Sequence, residues 1–313
     1  MKNTIETFSA LGARLLGFGD DDATRAVIDS ACRVNGWFTP ADIRRAVRAI
    51  ACDMLQREKL EAWLADYPAL PVAEPRRVLV VMAGNIPLVG FFDLLCVLVS
   101  GHGCLVKPSA KDSVLMEHVV GLLREIDPSA PVRLYDGTSS VDAVIATGSD
   151  NANRYFRAHY AGIPSLLRGS RQSVAVLSGR ETPEQLAGLA DDIWAYSGLG
   201  CRSVSLIFAP EGYEPTLQMP PVNDKYINNY RQQRALLEMQ GRPFVDLGCA
   251  VAVEQCAFPA ALSRIAYAHY ATLDEVAAWL AGHDGELQCV VTGCLPHSRR
   301  AGFGCAQSPA LTD

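Results

Sequence analysis

Cys201 lies in the run Gly198-Leu199-Gly200-Cys201-Arg202-Ser203, where a helical stretch stops and a strand-forming stretch begins. Glycines let the backbone turn sharply and approach a substrate, which would hold a thiol out at a bend. A thiolate attacks carbonyl carbon, and the charge of neighbouring Arg202 favours that form. Without the glycines the same cysteine would read as a small buried hydrophobe. Asn85 stands in Met82-Ala83-Gly84-Asn85-Ile86-Pro87, a strand-to-helix turn. Its amide can donate to a developing oxyanion, an interaction worth about 2.7–4 kcal/mol where measured; an asparagine that satisfies its own turn is the alternative. Lys107, in Val106-Lys107-Pro108-Ser109, leaves a strand for a loop and suits a phosphate or ribose hydroxyl, or else is a solvated strand-end lysine. Ala146-Thr147-Gly148-Ser149 ends a strand and opens a helix, whose first N–H groups can hold an anion or form an ordinary turn. Cys294 and His297 are three apart, but no second pair completes a metal set, and no metal is expected. No GxGxxG fingerprint, GxSxG elbow or Walker lysine is present.

These residues need elements to hold them. Residues 1 to about 70 carry apolar positions three and four apart and a capping signal at Thr39-Pro40, so helices are expected there, without a catalytic pattern. From Arg77 the texture alternates. Strands are predicted at 78–82, 104–107, 131–134, 143–147 and 173–177, and helices at 88–100, 111–126, 151–160 and 182–197. That order argues for a parallel sheet covered by helices, with ligands at the carboxyl ends of strands. A second α/β unit follows from about Thr182 to Val291, with strands at 203–208, 244–247, 249–253, 262–267 and 287–292 and helices at 225–239 and 272–281. The stretch between Arg77 and Lys107 has no Lys, Arg or Glu and is long enough for a membrane span. It divides at Asn85-Ile86-Pro87 into strand, loop, helix and strand, which is the reading adopted.

The 313 residues are 49% hydrophobic and 20% charged, which excludes a disordered or collagen-like chain. Lys+Arg 28 against Asp+Glu 34 leaves −6 with no basic run, so nucleic-acid binding is not expected. Ten cysteines form no C-x-x-C pair and the start lacks an apolar signal core, which points to a cytoplasmic protein with reduced thiols.

Taken in order, these blocks resemble the aldehyde dehydrogenase superfamily, and within it the acyl-CoA reductase branch typified by the bacterial bioluminescence fatty acyl reductase. The resemblance covers roughly residues 75–310 and rests on AGNIPLVGFFDLLCVLVSGH, DAVIATGSDNANRYF, RQSVAVLSG, DIWAYSGLGCRSVS and FGCAQSPALTD. It implies an α/β fold of two open domains with a helical N-terminal segment. The cofactor domain would take residues 1–178, with 301–313 returning to it. The catalytic domain would take 179–300, and substrate would lie in the cleft. It further implies that Cys201 is the catalytic thiol and Asn85 the amide that holds the carbonyl oxygen. Lys107, with Ser109 beside it, would contact the adenosine ribose, and Gly148 and Ser149 the cofactor pyrophosphate.

Two departures refine the expectation. Hydrolytic members carry a glutamate base upstream of the thiol; here Leu167 stands there, at the superfamily spacing of 201 − 167 = 34. Without a base to activate water, an acyl-enzyme is exchanged or reduced rather than hydrolysed. Members that prefer NAD often carry a glutamate three positions after the lysine; here Ala110 is followed by Lys111. The expected activity is therefore NADPH-dependent reduction of an acyl-CoA, or another acyl-carrier thioester, to an aldehyde through an acyl-cysteine, with NADH as second choice. A cofactor-free cysteine acyltransferase or thioesterase, an inactive scaffold subunit and an oxidative aldehyde dehydrogenase are the alternatives. No nucleic-acid partner is expected, and a homo-oligomer is left open. The family runs on past its LTD-like block into a short tail, whereas this sequence stops at Asp313; in the superfamily such terminal segments help build oligomers and support the cofactor domain.

Overall fold

The computed structural model describes residues 2–312. The chain divides into two compact units, one running to Ser170 and including Ala310–Thr312, the other spanning Arg171–Pro309.

The first unit opens with helices α1 (Lys2–Leu16), α2 (Asp22–Val34), α3 (Pro40–Ala49) and α4 (Arg57–Ala65), with a π-helical turn over Ile50–Met54. Their starts are written in the sequence. Asp21 accepts the Thr24 N–H at 2.8 Å before α2, and Thr39 accepts the Asp42 N–H at 3.1 Å before α3, with Pro40 in the first turn. The sheet elements follow: β1 (Arg77–Val81), α5 (Phe91–Val99), β2 (Gly103–Lys107), α6 (Ser113–Ile126), β3 (Val132–Leu134), β4 (Ala143–Thr147), α7 (Asp150–His159) and β5 (Ser165–Arg168). The strands are parallel in the order β3-β2-β1-β4-β5.

Side chains of β1 alternate between two cores. Val78 and Val80 pack with the N-terminal helices, α5 and α6 through Phe8, Leu11, Leu94 and Leu115. Leu79 and Val81 pack with Leu105, Val144 and Ala146 under Phe156 of α7 and Tyr160 just after it. Burial on both faces explains the near-continuous apolar runs of the sequence. Strand order reverses between β1 and β4, the kind of point at whose carboxyl ends open α/β sheets bind ligands. Among the described residues no helix is long and apolar enough to cross a membrane.

The second unit contains β6 (Gln172–Val176), α8 (Pro183–Trp194), β7 (Val204–Pro210), α9 (Asp224–Met239), β8 (Val245–Asp246), β9 (Val251–Glu254), β10 (Arg264–Tyr270), α10 (Leu273–Gly282), β11 (Leu287–Thr292) and β12 (Arg300–Ala301). They form one sheet in the order β12-β11-β6-β7-β10-β9-β8, parallel except for β8. Thr182 and Gln185 make a reciprocal capping box at the start of α8.

Two expectations change here. β6 was assigned to the first domain, yet it pairs with β7 and β11, so the division falls at Ser170 rather than residue 178. At the other end only Ala310–Thr312 join the first unit, where Leu311 is buried in the helical core; β12 stays with the second. β5, absent from the prediction, is a four-residue edge strand that is mostly exposed and has no β-branched residue.

Candidate functional site

Cys201 stands in the turn between α8 and β7. Tyr196, Ser197 and Gly198 lead into it with φ of 53°, 56° and 65°. Left-handed backbone costs a non-glycine residue roughly 1–2 kcal/mol, so surrounding packing must hold the first two, both of which are buried. The turn is then fastened on several sides. The Ser173 hydroxyl donates to the Cys201 carbonyl at 2.9 Å, and Arg202 donates to the Ala306 carbonyl at 3.3 Å. The Gln307 amide donates to Ser203 Oγ at 3.3 Å. Beneath the loop containing Ala306, fully buried Asp192 on α8 accepts the N–H groups of Gly304 at 2.7 Å and Ala306 at 2.9 Å. Arg202 thus braces the loop.

The Arg202 charge does lower the thiol's proton affinity, as expected, but it does not set the outcome. Burial pushes the Cys201 thiol above its ordinary value of 9.0, and outweighs the Arg202 and Arg171 charges and the Cys201 and Arg202 backbone N–H groups, which all act downward. Cys201 as a residue is nonetheless exposed. The packed turn around the thiol sets its proton affinity even though the residue reaches the surface.

The other predicted residues belong to the first unit. Asn85 is half-buried in a bend that follows β1. Gly84 beside it lies so close to the loop after β2 that a Cβ there would fall 2.6 Å from both Ser109 Cβ and Oγ, which only glycine avoids. Lys107 is exposed at the end of β2, and Ser109 Oγ accepts the Lys111 N–H at 3.3 Å at the entry to α6. Ser149 is the N-cap of α7, its hydroxyl accepting the Ala152 N–H at 3.4 Å. The structure thus brings the Asn85 loop, the Lys107–Ser109 loop and the Gly148–Ser149 turn to the carboxyl ends of β1, β2 and β4, which are neighbours in the sheet. Leu167 packs into the apolar core under α7. Cys294 and His297 are held in local turns, through Thr292 Oγ1 and the Arg299 N–H.

Among residues the sequence reading did not single out, Ser173, Asp192 and Arg171 surround the thiol turn, and Arg154 and Arg157 line an open depression of about 540 Å³ with Asn153, Leu167 and Gly169. The three-residue spacing of those arginines on a predicted helix was an available signal. The chemistry of the first unit's edge fits a phosphate-bearing dinucleotide. Lys107 and Lys111 are exposed, with no ion-pair partner among the described residues, and exposed Ala110 lies between them in the chain.

Comparison with known proteins bears on the fold and the family. The chain is similar to the long-chain acyl-protein thioester reductase of Vibrio harveyi, with 28% identity over 174 residues covering 49% of this chain and 36% of the relative. It spans about a third of the length of the curated relatives it matches, 35% to 37%. Its fold is that of an acetylating aldehyde dehydrogenase from Geobacillus thermoglucosidasius, with TM-score 0.65, 11% identity, and coverage of 99% of this chain and 84% of that one. A Mycobacterium tuberculosis aldehyde dehydrogenase complexed with NAD+ superposes with TM-score 0.60 at 16% identity, over 88% of this chain and 70% of that one. The family model for acyl-CoA reductase (LuxC) matches residues 32–218, a span that takes in Asn85, Lys107, Ser149, Leu167 and Cys201. With that match across most of the chain and the aldehyde dehydrogenase fold beneath it, this protein belongs to the acyl-CoA reductase (LuxC) family.

Proposed function

We propose that the chain reduces an acyl thioester, carried by coenzyme A or by a protein, to an aldehyde at the expense of NADPH. The observation that carries this reading is Leu167. The position that would hold a water-activating carboxylate is filled by an apolar side chain packed against Leu79, Val81 and their neighbours. Leucine at that position cannot activate water, so an acyl group on Cys201 is not hydrolysed from there and awaits reduction.

Cys201 loses its proton and its sulfur attacks the thioester carbonyl carbon. A carbon–sulfur bond forms while the carbonyl electron pair moves to oxygen. Asn85 Nδ2 and the Cys201 N–H donate to that oxyanion. When the carbonyl re-forms, the carrier's carbon–sulfur bond breaks and the carrier leaves as a thiol after taking a proton. Lys107, Ser109, Gly148 and Ser149 would hold the dinucleotide, and the Lys111 charge would attract a 2′-phosphate. NADPH, when bound, supplies a hydride to the acyl carbon. Cys201 then departs from the resulting hemithioacetal as thiolate and releases aldehyde.

Intact mass measured after mixing the protein with an acyl-CoA, without nucleotide, tests this reading. One acyl group on Cys201 that persists for many turnover times is expected, and Leu167→Glu should shorten its lifetime. Rapid hydrolysis by the wild-type protein would contradict the proposal and favour a thioesterase.

A further inference from the structure

Two buried polar side chains close on the loop between β1 and α5 from different directions. Asp112 precedes α6 at the N-cap position, where aspartate ordinarily bonds its own helix. It makes no such bond. Its Oδ2 instead accepts the Leu88 N–H at 2.8 Å, across a gap of 24 residues, while its Oδ1 is buried without a partner. Asp112 is 4% exposed, so its carboxyl has given up hydration for one bond to one loop. Leu88 at the other end of that bond has φ 55°, a conformation leucine adopts only when its surroundings impose it.

On the other flank, Asn35 ends α2 and is 5% exposed. Its Oδ1 accepts the Trp37 N–H at 3.1 Å and its Nδ2 donates to the Gly84 carbonyl at 3.3 Å. The loop is therefore gripped one residue before Asn85 and three residues after it. Between the grips, Pro87 has a fixed φ and restricts Ile86 before it. Little freedom remains for the peptide that carries Asn85.

We infer that Asn35 and Asp112 are positioning residues that hold the Asn85 amide where an oxyanion develops. The inference rests on the reading of Asn85 as oxyanion donor. It gives the N-terminal helical layer a part in the site, since α2 supplies one of the two grips. It also explains why a carboxyl side chain is kept in an apolar core: removing it would free a strained loop rather than an ordinary turn.

The test compares Asp112→Ala, Asp112→Asn, Asn35→Ala and Asn35→Asp with Asn85→Ala. Turnover of an acyl-CoA with NADPH is measured alongside amide hydrogen exchange over residues 84–90 and alkylation of Cys201 by iodoacetamide. Asp112→Ala and Asn35→Ala should lower kcat about 10- to 100-fold, the scale of a displaced catalytic group, with KM and the alkylation rate little changed. Exchange over 84–90 should quicken. Asp112→Asn keeps an acceptor for Leu88 and should retain most of kcat. Asn35→Asp loses the donor to Gly84 and should behave like Asn35→Ala. In an Asn85→Ala background, Asp112→Ala should cost little more. Wild-type kcat in the alanine variants, or an equal further loss on top of Asn85→Ala, would overturn the inference. If wild-type protein shows no turnover the functional reading fails, and the grips are judged by exchange alone: unchanged exchange over 84–90 in Asp112→Ala and in Asn35→Asp would then overturn them.

Discussion

The Ser173 hydroxyl donates to the carbonyl of Cys201 at 2.9 Å and accepts the backbone N–H of Cys289 at 3.1 Å. Ser173 lies where β6 slips register against β7, and the pairing of β6 with β11 is irregular in the same region. Bulges of this kind re-aim a side chain at the edge of a ladder. Here one fully buried hydroxyl ties the thiol's turn to two strands of the sheet.

Ser173→Ala should strand the Cys201 carbonyl and the Cys289 N–H. A buried group left unpaired costs about 1–3 kcal/mol, so a fall in unfolding free energy of that size is expected by urea titration. Reductase kcat should fall with little change in KM, because the turn that carries the nucleophile loses its anchor. A variant with unchanged stability and kcat would show that the bond is incidental.

Burial raises the Cys201 thiol above 9.0, and this has a consequence for its reactivity. Below its pKa the thiolate fraction rises tenfold for each pH unit. The alkylation rate of Cys201 should therefore keep climbing through pH 9 without levelling near neutrality. A plateau by pH 7 would mean that a basic group activates the resting thiol.

Burial pushes the Asp112 carboxyl from 3.8 up to about 8, with the Leu88 N–H acting the other way. The folded state thus holds this proton more tightly than the unfolded chain. Its stabilising contribution is fully present below pH 3.8, is lost progressively as pH rises towards about 8, and changes no further above that. Asp112→Asn cannot ionise. Its melting temperature should exceed that of the wild type most at pH 8–9, and the difference should shrink towards pH 4. A difference that does not vary with pH would place the carboxyl in a better solvated setting.

Much of the site can be read from residue types, and what cannot is non-local. Gly198 before Cys201, and Gly84 before Asn85, mark backbone that must turn or approach closely, and the structure shows why in the left-handed run and the contact with Ser109. Alternation of apolar strands with amphipathic helices foretold parallel sheets. It could not assign β6 to a sheet, because Gln172–Val176 has the same buried pattern in either one. Ser173 and Asp112 were invisible for a related reason. A serine opening a strand and an aspartate before a helix have ordinary local roles, and their actual partners lie 28 and 24 residues away. The thiol's proton affinity was misread because the charge of Arg202 is local in sequence, whereas desolvation is a property of the packed turn.

The most direct measurement follows reduced-nicotinamide absorbance on addition of an acyl-CoA to purified protein with NADPH, and then with NADH, in wild type and in Cys201→Ala. Thioester-dependent loss of absorbance that is faster with NADPH and abolished in Cys201→Ala, with nucleotide binding kept, is the expected result. Oxidation that persists in Cys201→Ala, or a wild-type protein that binds neither nucleotide, would contradict a thiol-dependent acyl reductase.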